Sequence, residues 1–144
     1  MIVPSPRGSA PRLSPTTSAT PWRILVIDDD DYVHVSLAAA LRTLRAEISR
    51  AGTAAEGLEL ARRDRPDLVI VDLGLPDADG YQLTRWLRAE HGLDGVRILI
   101  VTGHLPDENA ALANGADEIL AKPFSLHESL EAVRRQLRTR QLAS

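Results

Sequence analysis

The stretch ILVIDDDD, residues 24–31, places four apolar residues directly before four aspartates. Two more continuous apolar runs occur at residues 68–71 and 98–101, and weaker ones occur at 47–50 and 118–121. Continuous apolar runs of this length are typical of parallel strands that are covered on both faces. The pattern therefore predicts a parallel sheet buried between two layers of helices.

Helical periods fill the gaps between these runs. Core-facing stripes are predicted from Val33, Leu37, Leu41 and Leu44, from Leu83, Trp86 and Leu87, and from Leu126, Leu130, Val133 and Leu137. Thr53 with Glu56, and Ser125 with Glu128, have the spacing of capping boxes that open helices. One of the aspartates at 30–31 is expected to cap the first helix. Five strands alternating with five helices predict a doubly wound α/β fold.

Composition excludes several classes of protein. The chain has 144 residues, of which 44% are hydrophobic and 26% charged, as in an ordinary globular domain. It has no cysteine, which excludes a disulfide scaffold and a thiolate metal site. No apolar run approaches the roughly 18 residues of a membrane span, so no membrane contact is expected. A net charge of −3 and 3% aromatic residues argue against direct nucleic-acid binding.

Residues 1–21 differ from the rest in composition. They hold five of the nine prolines and no acidic residue, and they lack the apolar residues that would repay the cost of ordering. They also lack the apolar core of a signal peptide. We predict a flexible Pro/Ser/Thr-rich tail over 1–21 and one domain over 22–144. Without the two arginines of the tail, 15 basic and 20 acidic residues leave the domain a net charge of −5.

Polar residues follow the apolar runs directly. Asp28 and Asp29 follow the first run, Asp72 follows the third, Thr102 the fourth and Lys122 the fifth. In a doubly wound sheet the site lies beyond the carboxyl ends of the strands. The fold therefore predicts that three carboxylates, one hydroxyl and one ammonium group meet at one edge of the sheet.

These groups predict a particular chemistry. Clustered carboxylates repel one another unless a cation neutralises them, and oxygen ligands suit a hard ion such as Mg²⁺. An ammonium group opposite the metal can face a phosphoryl oxygen, and a hydroxyl can bind a second oxygen. A remaining carboxylate can act as a nucleophile. The set favours Mg²⁺-assisted phosphoryl transfer onto an aspartate. The four histidines share no metal-ligand spacing, and we interpret each as a surface or packing residue.

At these positions the sequence resembles the receiver domain of two-component response regulators. The resemblance covers about residues 22–140, and it implies a flavodoxin-like fold with five parallel strands in the order 2-1-3-4-5. It depends on four motifs that occur in order at strand ends: Ile27-Asp28-Asp29, VDLGLPDADG at 71–80, Val101-Thr102-Gly103 and Lys122-Pro123-Phe124.

The resemblance also implies a role for each site residue. Asp72 would be the phosphoacceptor, Thr102 would follow the phosphoryl group, and Lys122 would be its counter-charge. The Mg²⁺ cofactor would be held by Asp28, Asp29, Asp72 and the Gly74 backbone carbonyl. Such a domain is not an enzyme with an external substrate; it catalyses only its own phosphorylation and dephosphorylation.

Partners follow from the same resemblance. The phosphoryl donor would be a phosphohistidine on a sensor histidine kinase or a histidine phosphotransfer protein in the cytoplasm. We expect a stand-alone receiver or one cut from a larger protein, with no output domain after Ser144. The output would be a downstream protein bound on the face of the fourth helix, fifth strand and fifth helix, or it would lie elsewhere in the larger protein. The family usually has an aromatic residue three positions before the lysine, and this sequence has Ile119 there. Signalling through rotation of an aromatic ring is therefore not expected.

Two other readings of the sequence stay open. One is a small phosphatase like the haloacid dehalogenases, with Asp28 as nucleophile and Asp30 as acid/base. That reading lacks the later acidic pair of its family and leaves Asp72 without a role. The other is a receiver-like interaction module that is no longer phosphorylated, although all five site positions are filled.

Overall fold

The computed structural model describes residues 20–143, and over this range five strands alternate with five helices, as predicted. The strands are β1 (Trp22–Ile27), β2 (Ala46–Ala51), β3 (Leu68–Asp72), β4 (Arg97–Thr102) and β5 (Glu118–Ala121). The helices are α1 (Asp31–Ala40), α2 (Ala54–Asp64), α3 (Gly80–Ala89), α4 (Glu108–Ala113) and α5 (Leu126–Ala143).

All neighbouring strands are parallel, and their order is β2-β1-β3-β4-β5, which confirms the predicted topology. β1 starts two residues before its apolar run because Trp22 pairs with Ala46 of β2. The chain winds to one side of β1 through β2 and to the other through β3. The carboxyl ends of β1 and β3 therefore flank the point where the winding reverses, which is where this architecture places its site.

The core has two layers, one on each face of the sheet. Alternate residues of the strands, such as Ile24 and Ile70, pack with α1 and α5. The intervening residues, such as Ile27 and Val71, pack with α2, α3 and α4. Both sides of the central strands are buried, which explains why their sequences are continuously apolar.

Side-chain caps fix where the helices begin. Asp30 caps α1, Thr53 caps α2 and Asp79 caps α3, each by accepting a hydrogen bond from a backbone N–H of the first turn. Ser125 and Glu128 form the predicted reciprocal capping box before α5, with hydrogen bonds of 2.8 and 2.9 Å. These caps set the helices directly after the loops that carry the site.

Two predicted core positions are wrong. Leu83 and Leu87 are buried, but Trp86 lies beside their stripe on α3 and is 41% exposed. Leu126 stands at the first position of α5, before that helix reaches the sheet, and is 54% exposed.

The predicted tail falls almost entirely outside the described residues, which begin at Thr20. The tail and its boundary with the domain stay predictions. Within residues 20–143, no helix is both long and apolar enough to cross a membrane.

Candidate functional site

The loops that follow the strands bring the predicted site residues to one edge of the sheet. Asp28 and Asp29 follow β1, Asp72 ends β3, Thr102 ends β4, and Lys122 follows β5. One carboxylate oxygen from each of the three aspartates lies within 4.8 Å of the others. The ammonium group of Lys122 lies against two of these aspartates.

Asp28 is the most deeply buried acid of the site, with 1% of its surface exposed. Its Oδ1 accepts a hydrogen bond from the backbone N–H of Asp30 at 2.9 Å. Its Oδ2 is buried and lies 2.9 Å from Lys122 Nζ, but that contact is an ion pair without the alignment of a hydrogen bond. Burial raises the pKa of Asp28; the Lys122 ammonium and the Asp30 amide offset this only in part, and the charge of Asp72 adds to it.

The two oxygens of Asp72 differ in their surroundings. Oδ1 accepts hydrogen bonds from the backbone N–H of Gly74 at 3.2 Å and from Lys122 Nζ at 3.1 Å. Oδ2 has no hydrogen bond among the described residues. The side chain is therefore anchored through one oxygen, and the other oxygen is free to react or to bind a ligand.

Lys122 bridges the two buried carboxylates. Desolvation lowers the pKa of its ammonium group, but the close contact with the charged Asp28 and the charge of Asp72 outweigh that effect, and the pKa is raised. Lys122 therefore stays positively charged at neutral pH. It is also the only lysine in the sequence, where the other sixteen basic residues are arginines.

Thr102 is buried at the end of β4. Its hydroxyl oxygen accepts a hydrogen bond from the backbone N–H of His104 at 3.0 Å, and its carbonyl accepts one from Lys122 N at 2.7 Å. In the part of the chain that the structure describes, the hydroxyl makes no hydrogen bond to Asp28, Asp29 or Asp72. Thr102 thus shares the edge with the cluster but does not bond to its carboxylates.

The acidic cluster has the composition of a site for a hard divalent cation. Three carboxylates supply hard oxygen ligands, and the buried Oδ2 of Asp28 lacks a hydrogen bond. Gly74 lies two residues after Asp72, is exposed, and pairs with Asp79 in an isolated bridge that shapes the β3–α3 loop. The residues present therefore fit Mg²⁺.

Two residues near the site have contacts that the sequence interpretation missed. Asp77 of the β3–α3 loop accepts hydrogen bonds from the backbone N–H groups of Ala54 and Ala55, at 2.8 and 3.0 Å. His34 is buried, and its Nε2 lies 2.6 Å from the Asp28 carbonyl. The Asp77 contact joins residues more than twenty positions apart, so no local pattern indicates it. The contact between His34 and the Asp28 carbonyl spans only six residues, so the position of His34 shortly after Asp28 was the signal in the sequence that could have indicated it.

Comparison with known proteins agrees with this geometry. A family model described as the response regulator receiver domain matches residues 24–134. The transcriptional regulatory protein PrrA of Mycobacterium bovis is 38% identical over 124 residues, which are 86% of this chain and 53% of PrrA. The response regulator MprA of Mycolicibacterium vanbaalenii is 39% identical over 120 residues, which cover 82% of this chain and 51% of MprA. The chain thus spans about half the length of these curated relatives.

Solved structures show the same fold. A CheY-like response regulator receiver domain protein of Methanospirillum hungatei superposes with a TM-score of 0.79 at 29% identity, covering 87% of this chain and all of the other. The receiver domain of a sensor histidine kinase of Pseudomonas aeruginosa, which has a magnesium ion in its active-site cleft, has a TM-score of 0.71 at 28% identity. That match covers 81% of this chain and 98% of the other. The sequence motifs, the fold, the acidic edge and these relatives agree, and the chain belongs to the response regulator receiver domain family.

Proposed function

We propose that Asp72 accepts the phosphoryl group in this two-component receiver domain, and that a phosphohistidine on a sensor histidine kinase or histidine phosphotransfer protein donates it. The observation that carries the proposal is the pair of unequal oxygens on Asp72. Lys122 and the Gly74 amide hold Oδ1, and Oδ2 has no hydrogen bond among the described residues. A fixed carboxylate with one free oxygen is prepared for nucleophilic attack.

Transfer of the phosphoryl group to Asp72 is a nucleophilic displacement at phosphorus. Oδ2 of Asp72 attacks the phosphorus atom, the new P–O bond forms, and the P–N bond to the donor imidazole breaks. The imidazole nitrogen takes a proton from solvent as it leaves. Lys122 lies beside Asp72 with its charge retained, so its ammonium group can face an oxygen of the incoming phosphoryl group.

The other site residues would bind the cation and contact the phosphoryl group once it is on Asp72. Asp28, Asp29, Asp72 and the Gly74 carbonyl would hold Mg²⁺, which when bound supplies positive charge against the phosphoryl oxygens. The Thr102 hydroxyl stands at the end of the neighbouring strand and can donate to a phosphoryl oxygen once one is present. With these residue roles, the domain promotes its own phosphorylation and dephosphorylation and turns over no external substrate.

The phosphatase alternative fits the site less well. Asp30 would be its acid/base, but the Asp30 carboxylate caps α1 by accepting a hydrogen bond from Tyr32 N at 2.9 Å. Asp28 would be its nucleophile, but that side chain lies buried against Lys122. The interaction module that cannot be phosphorylated is disfavoured because Asp72 keeps both its anchors and a free oxygen.

The proposed function also includes a cellular location and a surface for a downstream partner. We place the domain in the cytoplasm, with a downstream protein on the face of α4, β5 and α5. Direct nucleic-acid binding by this domain is not expected, and that expectation stays a prediction. PrrA is named as a transcriptional regulatory protein, and this chain matches about half of it.

Incubation with acetyl phosphate tests the proposed function. We expect intact-mass measurement to show one added phosphoryl group when Mg²⁺ is present and little addition when it is chelated. A parallel assay with a phosphomonoester should show no turnover. Sustained phosphomonoester hydrolysis would support the phosphatase reading, and no phosphorylation under any condition would support the interaction module.

A further inference from the structure

His34 of α1 makes a contact that directs its imidazole toward the acidic loop. The side chain is buried, with 7% exposure, and its Nε2 lies 2.6 Å from the backbone carbonyl oxygen of Asp28. A carbonyl oxygen only accepts hydrogen bonds, so Nε2 carries the hydrogen and donates it. The first turn of α1 is thereby tied back to the end of β1.

The other ring nitrogen shows that packing alone does not explain this histidine. Nδ1 is buried and has no hydrogen-bond partner among the described residues. An unpartnered buried acceptor costs stability, and an apolar side chain of similar size would avoid that cost. Nε2 of the buried ring makes a hydrogen bond and Nδ1 makes none. This points to a role for the hydrogen bond between Nε2 and the Asp28 carbonyl.

The bonded carbonyl belongs to the peptide unit that joins Asp28 to Asp29. A peptide unit is planar, so a hydrogen bond to its oxygen also fixes the direction in which the Asp29 backbone begins. On the other side of Asp28, its N–H donates to Ala51 O at 3.0 Å. The β2 contact and the His34 contact together hold the loop from both sides.

Asp29 depends on this restraint more than the other acids do. It is exposed, and in the described range its carboxylate has no hydrogen bond or ion pair. Asp28 and Asp72, by contrast, each contact Lys122. The orientation of the Asp29 carboxylate is therefore set mainly by its own backbone.

We propose that His34 is a positioning residue for the metal site: its Nε2–H bond to the Asp28 carbonyl holds the Asp28–Asp29 peptide so that Asp29 faces the cation. The proposal rests on the function proposed above for the acidic cluster. Loss of the bond should weaken Mg²⁺ binding and leave the nucleophile Asp72 unchanged. Outer-sphere partners of this kind typically affect metal affinity by about 10–100-fold.

A set of substitutions at His34 separates positioning from packing. His34→Leu keeps an apolar filling but removes the donor, and His34→Gln keeps an N–H donor on a side chain of similar reach. We expect calorimetric titration of the full chain to show Mg²⁺ binding about tenfold weaker in His34→Leu and close to the original in His34→Gln. The Mg²⁺ concentration for half-maximal phosphorylation by acetyl phosphate should rise in parallel, while the rate at saturating Mg²⁺ stays near that of the unsubstituted protein.

Thermal unfolding without metal provides the control: His34→Leu removes an unpartnered nitrogen but leaves the Asp28 carbonyl without its donor, so the variant should stay folded at the temperature of the titration. His34→Phe repeats the test with a ring that cannot donate, in case the leucine variant folds poorly. Unchanged Mg²⁺ affinity in the folded apolar variants would overturn the proposal, and so would equal loss in the leucine and glutamine variants. If Asp72 is never phosphorylated but the apolar variants still lose Mg²⁺ affinity, the proposed function fails and the positioning role stands.

Discussion

At the scale of single residues, the site concentrates negative charge where little water is available. Asp28 is almost completely buried, and only one of its oxygens has an aligned hydrogen bond. Its pKa is raised chiefly by burial. The ionised carboxylate is thus a destabilising group in the metal-free protein, and this is a common property of residues kept for function.

Asp28→Asn should stabilise the metal-free protein at neutral pH. The folded state holds the Asp28 proton more tightly than the unfolded state does, so stability falls as the pH rises through the raised pKa. Asparagine has no charge to bury, and Lys122 keeps its contact with Asp72. We expect the free energy of unfolding in urea to increase by about 0.5–2 kcal/mol at pH 7.

The gain from Asp28→Asn should shrink as the pH is lowered toward the ordinary pKa of an aspartate, where the original side chain is also neutral. Asp29→Asn is the matched control, because Asp29 is exposed and its removal should change stability little. Lower stability of Asp28→Asn at pH 7 would show that the buried charge is compensated within the protein.

Asp29→Ala should weaken Mg²⁺ binding by at least about tenfold, and Asp31→Ala should leave it nearly unchanged. Asp29 contributes an oxygen to the acidic cluster, whereas Asp31 is exposed and pairs with Arg50 at 2.6 Å. Calorimetric titration measures both affinities. Equal affinities in the two variants would refute the assignment of Asp29 as a metal ligand.

At the scale of elements, the β3–α3 loop depends on close backbone packing. A Cβ at Gly80 would lie 2.5 Å from the Asp72 carbonyl oxygen and 2.7 Å from Leu73 Cα, so only glycine fits at the start of α3. Asp77 fastens the same loop to the start of α2. The backbone around Asp72 is therefore held by two neighbouring helices.

Gly80→Ala should destabilise the fold by about 1–3 kcal/mol and also slow phosphorylation, because the added methyl group displaces the Asp72 backbone. Gly57→Ala is the control: its Cβ would lie 2.4 Å from the Ile27 side chain, and its three nearest atoms belong to that side chain and none to the Asp72 backbone. It should lower stability without slowing phosphorylation of the folded protein. Urea unfolding and acetyl phosphate kinetics measure both effects, and an unchanged rate in Gly80→Ala would contradict the coupling.

Local patterns predicted most of the elements, and long-range contacts explain what they missed. The apolar runs located the central strands because both faces of those strands are buried, and the capping boxes at Thr53 and Ser125 located two helix starts. Strand-end positions indicated which polar residues share an edge, because parallel strands end together. The exposure of Trp86 and the contacts of Asp77 depend on the packing of distant segments, which periodicity does not record.

At the scale of the whole molecule, the region after Thr102 contains an exposed loop, residues 103–109, and a later segment before β5 that is anchored by Arg88. Arg88 of α3 donates to the carbonyls of Val96 and Gly115 and to the carboxylate of Asp117, so the end of the α4–β5 connection is anchored. Residues 103–109 are exposed throughout. Ile119 is partly buried and packs against the core on the α2–α4 side. A conformational response is therefore expected in the loop and α4 without an aromatic ring movement.

Binding of beryllofluoride, a phosphoryl mimic, should change amide exchange mainly between residues 102 and 122, and most in 103–113. A phosphoryl group offers the Thr102 hydroxyl a new acceptor, and this differential contact is what shifts a conformational population. Exchange mass spectrometry with and without the mimic measures the response, and Asp72→Asn should show none. Changes confined to residues 72–80 would show that the switch does not run through α4 and β5.

The most direct test of the account is the location of the phosphoryl group. After incubation with acetyl phosphate and Mg²⁺, peptide mapping by mass spectrometry should find one phosphoryl group on the peptide that contains Asp72. Asp72→Asn keeps the shape of the side chain but removes the nucleophilic carboxylate, so it should fold normally and carry no phosphoryl group. A phosphoryl group on the same peptide of the folded Asp72→Asn protein, or on Asp28 in the original protein, would contradict the account.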